Sequence, residues 1–384
     1  MSFKPLFARS LGAAPGRLHM AAHSHHLWPD ASFAGQVECW EDAARLADRK
    51  WERVMGELWP AAQAEVAAEL GTRRPDGIVF AGNTHDFLVR LWAAAPRRAG
   101  GPLRVLTTQG EFHSARRQFA RWAESGDILL ETVPVEPVAT LPARMAEKAA
   151  SADLVMVSQL MFGTGAWVEG LASLAACAAP EGPWVVVDGY HSFMAVETPF
   201  AGLEDRCFFL GGGYKYAMSG EGLGLMHCPP GFGPRPPVTG WYAEFEDLTL
   251  PPGQVGYAPD AMRFMGATFD PSALYRFLHV RRALAAEGLT TARISGHVRQ
   301  LQQLLLDRLE DTPLGEAELL NPLDPGPHAR FLAFRHAQAA EWQQALMARD
   351  VVTDVRGDVL RVGLGLYHDE EDVDLFADAV GALA

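Results

Sequence analysis

Seven short apolar runs follow one another through the first two thirds of the chain, and most are separated by segments of helical length. The runs are GIVFAG (77–82), LRVLTT (103–108), ILLETV (128–133), LVMVSQ (154–159), WVVVDG (184–189), CFFLGG (207–212) and GLGLMH (222–227). Continuous apolar strands that alternate with helices are typical of a mostly parallel sheet covered on both faces. No helix-sized segment separates the last two runs, so one antiparallel neighbour is expected. The pattern predicts an α/β fold built on a seven-stranded sheet flanked by helices.

The character of the sequence changes beyond about residue 272. A strongly helical segment (301–310), the apolar run ARFLAFRH, a helix at 338–349 and the run VLRVGLGLY follow one another there. At 384 residues the chain also exceeds what one hydrophobic core usually holds. We therefore predict three parts: an amino-terminal arm that contributes to the small domain and to the mouth of the site (1–50), a large α/β domain (51–271) and a smaller α+β domain (272–384).

Composition narrows the range of partners and locations. Lys and Arg number 33 against 47 Asp and Glu, a formal net charge of −14, which disfavours nucleic acid or an anionic membrane as the main partner. No run approaches the roughly 20 apolar residues that span a bilayer. The cysteines are scattered, with no CxxC pair, at positions 39, 177, 207 and 228. Such spacing favours reduced thiols and a cytoplasmic protein.

Lys215 and Asp188 are the strongest candidates for chemistry. Lys215 follows the apolar run that ends in Gly211, Gly212 and Gly213, and open α/β sheets hold ligands beyond the carboxyl ends of their strands. A buried lysine there can form a Schiff base. Asp188 ends the run WVVVD and can pair with a protonated ring nitrogen of a pyridine cofactor. A surface lysine and a helix N-cap are the alternatives, but the two residues on nearby strand ends favour a common site.

Three further motifs have a functional and a structural interpretation. Asn83 and Thr84 open a helix after the first run, which suits an anion site or a plain N-cap. Arg361 lies within an apolar run, where it binds either a carboxylate or phosphate, or an internal ion-pair partner. The HSHH cluster at 23–26 has no acidic or cysteine partner nearby in sequence, so no metal site is predicted, and a polar lining of the site's mouth fits better.

With these residues assembled, the chain resembles the fold type I pyridoxal-phosphate (PLP) enzymes of the class V aminotransferase superfamily, and kynureninases most of all. The segment GGGYKYAMSGEG is similar to the family's Tyr-Lys-Tyr motif, in which the lysine, here Lys215, holds PLP. The resemblance implies that Tyr214 contacts the phosphate. The segment VVVDGYHS resembles the Asp-x-x-His motif, which implies that Asp188 pairs with the pyridine nitrogen and that His191 lies near the cofactor. The domain over 51–271 would then be the PLP-binding domain.

The same resemblance implies roles for residues outside these two motifs. Asn83 and Thr84 match the phosphate loop, and His113, more than Phe112, matches the aromatic residue that stacks on the cofactor. TGWYAEF and RFMGATFDP resemble segments near the phosphate, typically across a dimer interface, which implicates Trp241 and Thr268. The remaining implied roles concern the substrate, with Arg361 on its α-carboxylate and the arm residues Ser24 and His25 beside it.

A PLP enzyme of this kind acts on an amino acid through an external aldimine and a Cα carbanion, with Lys215 as the base. The resemblance favours kynureninase-like cleavage at Cβ by a hydrolase or lyase, with a class V aminotransferase as the alternative. A cysteine desulfurase is disfavoured because the segment before Arg361, ARDVVTDVRGD, contains no cysteine. A non-catalytic binding protein with this fold is disfavoured because Lys215, Asp188 and Arg361 are all present. The resemblance also implies a homodimer with shared active sites, a small-molecule substrate, and neither nucleic acid nor membrane as a partner.

Overall fold

A computed structural model describes residues 2–245 and 249–383 of the chain. Thirteen strands lie in these residues. In chain order they are β1 (Leu18–His19), β2 (Ile78–Ala81), β3 (Leu103–Thr108), β4 (Ile128–Val133), β5 (Leu154–Ser158), β6 (Trp184–Asp188), β7 (Cys207–Gly212), β8 (Gly224–His227), β9 (Glu318–Leu319), β10 (Phe331–Arg335), β11 (Val351–Val352), β12 (Asp354–Arg356) and β13 (Val359–Gly363).

The described residues also form twelve α-helices. In chain order they are α1 (Ala8–Gly12), α2 (Asp30–Leu46), α3 (Lys50–Arg53), α4 (Trp59–Leu70), α5 (Thr84–Ala94), α6 (His113–Glu124), α7 (Leu141–Ala149), α8 (Ala172–Ala175), α9 (Ser272–Ala286), α10 (Thr291–Leu309), α11 (Ala339–Met347) and α12 (Glu370–Gly381). Short 3₁₀ turns lie at Lys4–Phe7, Ala47–Arg49, Pro75–Gly77, Val138–Thr140, Trp241–Glu244, Ala261–Phe264 and Pro313–Glu316, and a π turn lies at Val54–Leu58. Among the residues that the structure describes, no helix is both long enough and apolar enough to cross a membrane.

The central sheet has seven strands in the order β2-β8-β7-β6-β5-β3-β4. All neighbours in it are parallel except those of β8, which runs antiparallel to both β2 and β7. Every one of the seven predicted runs forms a strand of this sheet, and the antiparallel neighbour is the pair predicted without an intervening helix. The predicted α/β fold class is confirmed.

Strand β6 shows why the sequence gives a sheet covered on both faces. Its three valines, Val185, Val186 and Val187, point alternately to opposite faces, and each is at most 1% exposed. A strand that is apolar on both faces is stable only where helices bury both of them. β6 therefore lies in the middle of the sheet, and its carboxyl end, with the neighbouring ends of β5 and β7, opens at one edge.

The carboxyl-terminal part forms a second, smaller layer. Its four-stranded antiparallel sheet has the order β12-β13-β10-β9, and the core beneath it includes Leu305, Phe334, Leu360 and Phe376. The amino-terminal arm touches both layers, because β1 pairs with β11 while Phe7 lies in the larger core. The division of the chain at residues 50 and 271 stays a prediction, and α9, beyond the second boundary, packs in the larger core.

Strand β8 can lie beside the start of α5 only because residue 224 is glycine. A Cβ atom at Gly224 would lie 2.4 Å from the carbonyl carbon of Asn83, a backbone atom that cannot rotate away. We expect Gly224→Ala to destabilise the protein by on the order of 1–3 kcal/mol, since the strand must shift to relieve the clash. Chemical denaturation of purified protein measures this change.

Gly56→Ala is the matched control for this substitution. A Cβ atom at Gly56 meets no atom within 4 Å, and the residue lies in a helical turn, where alanine is preferred over glycine. This variant should be unchanged or slightly more stable. Equal effects of the two substitutions would contradict the close approach of β8 to Asn83.

Candidate active site

A cavity of about 240 Å³ opens at the carboxyl ends of β5, β6 and β7. Its lining includes Asn83, Thr84, Phe112, Ser158, Asp188, Tyr190, His191, Tyr214 and Lys215. The parallel strands bring these residues together from distant parts of the sequence, since their carboxyl ends meet at one edge of the sheet. Of the predicted site residues, the structure thus gathers Lys215, Asp188, His191, Tyr214, Asn83 and Thr84 around one space.

Lys215 lies in the turn between β7 and β8 and is 5% exposed. Its Nζ atom is 2.7 Å from Nε2 of His191. Burial lowers the pKa of Lys215 to about 7; the negative charge of Asp188 opposes this shift, while Arg361 and Arg356 add to it. An amine with this pKa is largely uncharged just above neutral pH, and only the uncharged form is a nucleophile or a base.

Asp188 is the last residue of β6 and borders the same cavity. Its side chain is half-buried, and the loss of solvation raises the pKa of its carboxyl group, while a hydrogen bond from the Tyr190 backbone N–H and the charge of Lys215 oppose the shift. A carboxylate in such surroundings is stabilised in its ionised form by a positive charge close to it. The cavity therefore suits a ligand that carries one cationic atom on the side of Asp188.

A further carboxylate, that of Glu111, is buried behind the cavity wall. It was not predicted from the sequence. It accepts hydrogen bonds from the hydroxyl groups of Thr108 and Ser158, each at 2.6 Å, and from the backbone N–H of Ser158 at 3.1 Å. Burial raises the pKa of Glu111 to about 7, and the charge of Asp188 contributes to the shift. One feature of the sequence could have indicated this residue. Glu111 follows the run LRVLTT and is therefore expected at the same edge of the sheet as Asp188.

The amino end of α5 supplies polar groups on another side of the cavity. Asn83 caps the helix by accepting a hydrogen bond from the Asp86 backbone N–H, and Thr84 is the first helical residue. Helix amino ends carry unpaired N–H groups and a partial positive charge, which favour anions. Tyr214 lines the same space, with its ring 4.9 Å from that of Tyr190. This side of the cavity can hold a phosphate group.

Phe112, rather than His113, forms the aromatic wall next to Lys215. The Lys215 Nζ atom lies 5.6 Å from the centroid of the Phe112 ring. His113 begins α6, contacts Arg116 through Nδ1 at 2.9 Å and borders an adjoining surface depression. The stacking role predicted for His113 stays a prediction that this placement does not favour, because Phe112 occupies the wall of the cavity.

Arg361 is buried in β13 and has an internal partner. It donates hydrogen bonds to the Asp354 carboxylate and to the Phe162 carbonyl oxygen, and its guanidinium lies between the rings of Phe162 and Phe331. Burial lowers the pKa of Arg361 to about 10. The internal ion pair that the sequence left open is therefore present. Nε of Arg361 has no partner within the described chain, although Arg361 itself is not among the residues that line the cavity.

The HSHH cluster divides into buried and exposed members. His23 and His26 are buried, whereas His25 is exposed and stacks on Tyr214 with the ring centroids 4.9 Å apart. The Ser24 hydroxyl lies 3.4 Å from Nδ1 of His25. In the parts of the chain covered by the structure, no group of three His, Cys, Asp or Glu side chains could hold a metal ion. Through His25 the cluster reaches the mouth of the cavity.

Trp241 and Thr268 do not line the cavity. Trp241 is 44% exposed and packs on Tyr242 and Phe245, and Thr268 is also exposed. These two residues are predicted to act across a dimer interface. The structure of a single chain does not test that prediction.

Comparison with known proteins agrees with this architecture. The profile of the Kynureninase C-terminal domain matches residues 294–380. Isopenicillin N epimerase from Streptomyces clavuligerus is 26% identical over 314 residues, which is 76% of each chain. Among solved structures, the cysteine desulfurase of Thermococcus onnurineus NA1 superposes with a TM-score of 0.78 at 19% identity, covering 100% of this chain and 99% of that one.

A second matching structure contains a PLP cofactor. A C-DES mutant with glycine covalently linked to its PLP cofactor superposes with a TM-score of 0.80 at 16% identity, covering 98% of this chain and 99% of that one. The chain shares the fold of these solved structures over almost its whole length, and the matches agree with the resemblance predicted from the sequence. The PLP in the second structure belongs to that protein.

The low pKa of Lys215 has a consequence for stability in protein freed of cofactor. Between about pH 7 and the ordinary lysine value of 10.5, the unfolded chain binds a proton that the folded chain does not. Stability contributed by this group therefore rises with pH across that window. We expect the free energy of unfolding of wild type, relative to Lys215→Met, to increase between pH 7 and pH 10. A difference that is constant with pH would contradict a buried amine with a low pKa.

Proposed function

We propose that the protein is a PLP-dependent enzyme that acts on an amino-acid substrate, with kynureninase-like cleavage at Cβ as its reaction. The observation that carries the proposal is the buried Lys215 amine, which lines one cavity with the strand-end carboxylate of Asp188. A buried amine and a half-buried carboxylate at the ligand-binding edge of an α/β sheet have little structural reason to be there, since the loss of solvation is costly for both.

The residues present fit PLP. Lys215 supplies the amine, Asp188 the negative charge for a ring nitrogen, Phe112 the flat apolar wall, and the amino end of α5 with Tyr214 the phosphate side. When bound, PLP supplies an aldehyde that links to amino groups and a protonated ring that accepts electrons from the α-carbon of the substrate. Burial of Asp188 keeps competing water away from the charge it offers.

Lys215 and His191 are proposed to exchange the proton that Lys215 takes from the substrate. Burial lowers the pKa of His191 well below its ordinary value, and the charge of Lys215 adds to that shift, so the imidazole is neutral. A neutral ring nitrogen 2.7 Å from Nζ can accept or return the proton that the lysine takes up as general base. Since Nδ1 of His191 is buried without a partner in the described residues, Nε2 is the ring nitrogen that can exchange a proton with Lys215.

Arg361 is proposed to orient the substrate through its carboxylate. Its guanidinium is held by Asp354 and Phe162, which fixes the direction of the unpartnered Nε donor. An arginine held in this way loses less conformational entropy on binding than a free side chain does. Ser24 and His25, at the cavity mouth, are proposed to contact the rest of the substrate.

The choice of reaction rests on the carboxyl-terminal part of the chain. The family profile that matches residues 294–380 is that of kynureninases, and this part contains no cysteine that could serve as a sulfur-accepting nucleophile. Desulfuration, the reaction named for one of the solved neighbours, is thereby disfavoured. An aminotransferase shares the removal of the α-proton by Lys215 and differs in the steps that follow it, so it stays the alternative.

We also propose a cytoplasmic homodimer with shared active sites. All four cysteines are free, which suits a reducing compartment. Trp241 and Phe245 are exposed aromatic residues on one turn, which suits a buried place against a second copy of the chain. Trp241 and Thr268 would then reach the site of the partner.

The cofactor proposal predicts a yellow protein. Purified protein should absorb in the visible range, and borohydride should bleach the band while it fixes the cofactor to Lys215, which peptide mass spectrometry detects. Lys215→Ala should fold but lose at least about 10²-fold in turnover, because the base is removed. Colourless protein that ignores added PLP, or full activity in Lys215→Ala, would refute the proposal.

The reaction is decided by a panel of amino acids that includes kynurenine. We expect a change in the visible spectrum with the true substrate, and products of cleavage at Cβ by mass spectrometry. Stoichiometric formation of a 2-oxo acid, with conversion of the cofactor to its amine form, would instead establish an aminotransferase.

Arg361→Met tests the carboxylate site with whichever substrate the panel identifies. Loss of a charged hydrogen bond should raise KM by about 10- to 100-fold. Arg335→Met is the matched control, since Arg335 is exposed in the neighbouring strand β10 and pairs with Glu318. An unchanged KM in Arg361→Met would reassign this arginine to its structural pair with Asp354.

A further inference from the structure

A second cavity, of about 420 Å³, lies between the turn that follows His191 and the carboxyl-terminal part of the chain. It is bordered by Ala195–Glu197, by α10 and by the segment that leads into β10. No residue of its lining belongs to the cavity of Lys215. The proposed reaction therefore makes no use of it.

Arg330 lies in the wall of this second cavity and is only 2% exposed. Its Nη2 atom donates a hydrogen bond to the Ser295 hydroxyl at 2.9 Å and approaches the Thr291 carbonyl oxygen at 3.4 Å. Its guanidinium lies 5.2 Å from the centroid of the Tyr216 ring. Within the residues that the structure covers, no carboxylate lies at ion-pair distance from Arg330, and its Nε atom is buried without a partner.

A buried guanidinium without a counter-charge is costly, by several kcal/mol per ion in real proteins. The hydroxyl, the carbonyl group and the aromatic ring around Arg330 offset only part of that cost, because none of them carries a full negative charge. Burial also lowers the pKa of Arg330 to about 10, and the charges of Tyr216 and Glu69 oppose this shift only in part. The surroundings of Arg330 therefore favour the binding of an anion.

The rest of the lining has the charge and shape to hold one. Arg299, half-buried on α10, borders the same cavity, and its guanidinium donates a hydrogen bond to the backbone carbonyl oxygen of Asp324. Both ring nitrogens of His328 are engaged by backbone carbonyl oxygens. Glu197 is the acidic residue of the lining, and it is exposed at the edge. Two guanidinium groups thus face a space with one solvated carboxylate at its rim.

We propose that this cavity is a binding site for a small oxyanion, either a phosphate or a carboxylate group, held between Arg330 and Arg299. The guanidinium fork matches both groups in geometry, since each presents paired oxygen atoms to two N–H donors. Gln302 borders the same space, and the side-chain N–H that is not bonded to the Ala329 carbonyl oxygen can donate a further hydrogen bond. The site touches both parts of the chain, and its existence does not depend on the proposed reaction.

The test uses the purified holoprotein and two probes, inorganic phosphate and malonate, against chloride at constant ionic strength. Isothermal titration calorimetry should show saturable binding of one or both anions, with one site per chain. Arg330→Met and Arg299→Met should each weaken that binding at least about tenfold, the loss expected for a charged hydrogen bond. Arg335→Met removes the same charge from an exposed position and should bind as wild type does.

Binding of phosphate alone or of malonate alone supports the site and identifies the preferred oxyanion. Because Arg299 is half-buried, Arg299→Met keeps the test valid should Arg330→Met fail to fold. The proposal is overturned if neither anion binds with saturation, or if Arg335→Met loses as much affinity as the other two variants. It is also overturned if Thr84→Val abolishes the binding while Arg299→Met and Arg330→Met leave it intact, since the anion would then occupy the amino end of α5.

Discussion

The structure of the site depends on a lysine amine, that of Lys215, which is held away from water near the half-buried carboxylate of Asp188. Lys215 is desolvated in the turn after β7, and this alone would drive its pKa further down than about 7 if the charge of Asp188 did not oppose the shift. Asp188 is subject to the converse balance, because its burial raises its pKa while the charge of Lys215 lowers it. The charge of each group therefore offsets part of the cost of desolvating the other.

The central sheet makes this arrangement possible. Asp188 pairs in register with Ser158 of β5 and Leu210 of β7, so the strand ends that carry the chemistry are fixed relative to one another by backbone hydrogen bonds. Glu111 adds a further buried carboxylate behind Ser158 and binds that residue through both its hydroxyl and its backbone N–H. Groups held by several hydrogen bonds in a dry interior reorganise little, which is what a site for charge stabilisation requires.

Two buried arginines, Arg361 and Arg330, lie where the carboxyl-terminal part contacts the rest of the chain. They differ in how their positive charge is compensated. Arg361 has Asp354 as an internal counter-ion and keeps one donor unpartnered in the described residues. Arg330 has only a hydroxyl, a carbonyl group and the face of Tyr216 around it. In our proposals, the first arrangement is a preorganised donor for a substrate carboxylate, and the second is a charge that binds an anion from outside the chain.

The sequence by itself determined the sheet, because strand and helix periodicity are local properties. All seven apolar runs form strands, and the antiparallel neighbour followed from a missing helix. The sequence also predicted that Lys215 and Asp188 lie at the same edge of the sheet. Residues directly beyond the ends of parallel strands meet there whatever the details of packing. Tertiary structure alone decided which aromatic residue, Phe112 or His113, lines the cavity, because neighbouring residues at a helix start point in different directions.

Tertiary structure also decided the partners of the buried charges. Asp354 precedes Arg361 by a short hairpin, yet nothing in the sequence distinguishes their ion pair from a free arginine that awaits a substrate. In the sequence alone, Glu111 is indistinguishable from an ordinary surface residue. In the structure, the pairing of β3 with β5 places it against Ser158. Arg330 shows no pattern at all in sequence. Whether a charged side chain has a partner depends on elements distant in the chain, and single-sequence periodicity carries no information about those contacts.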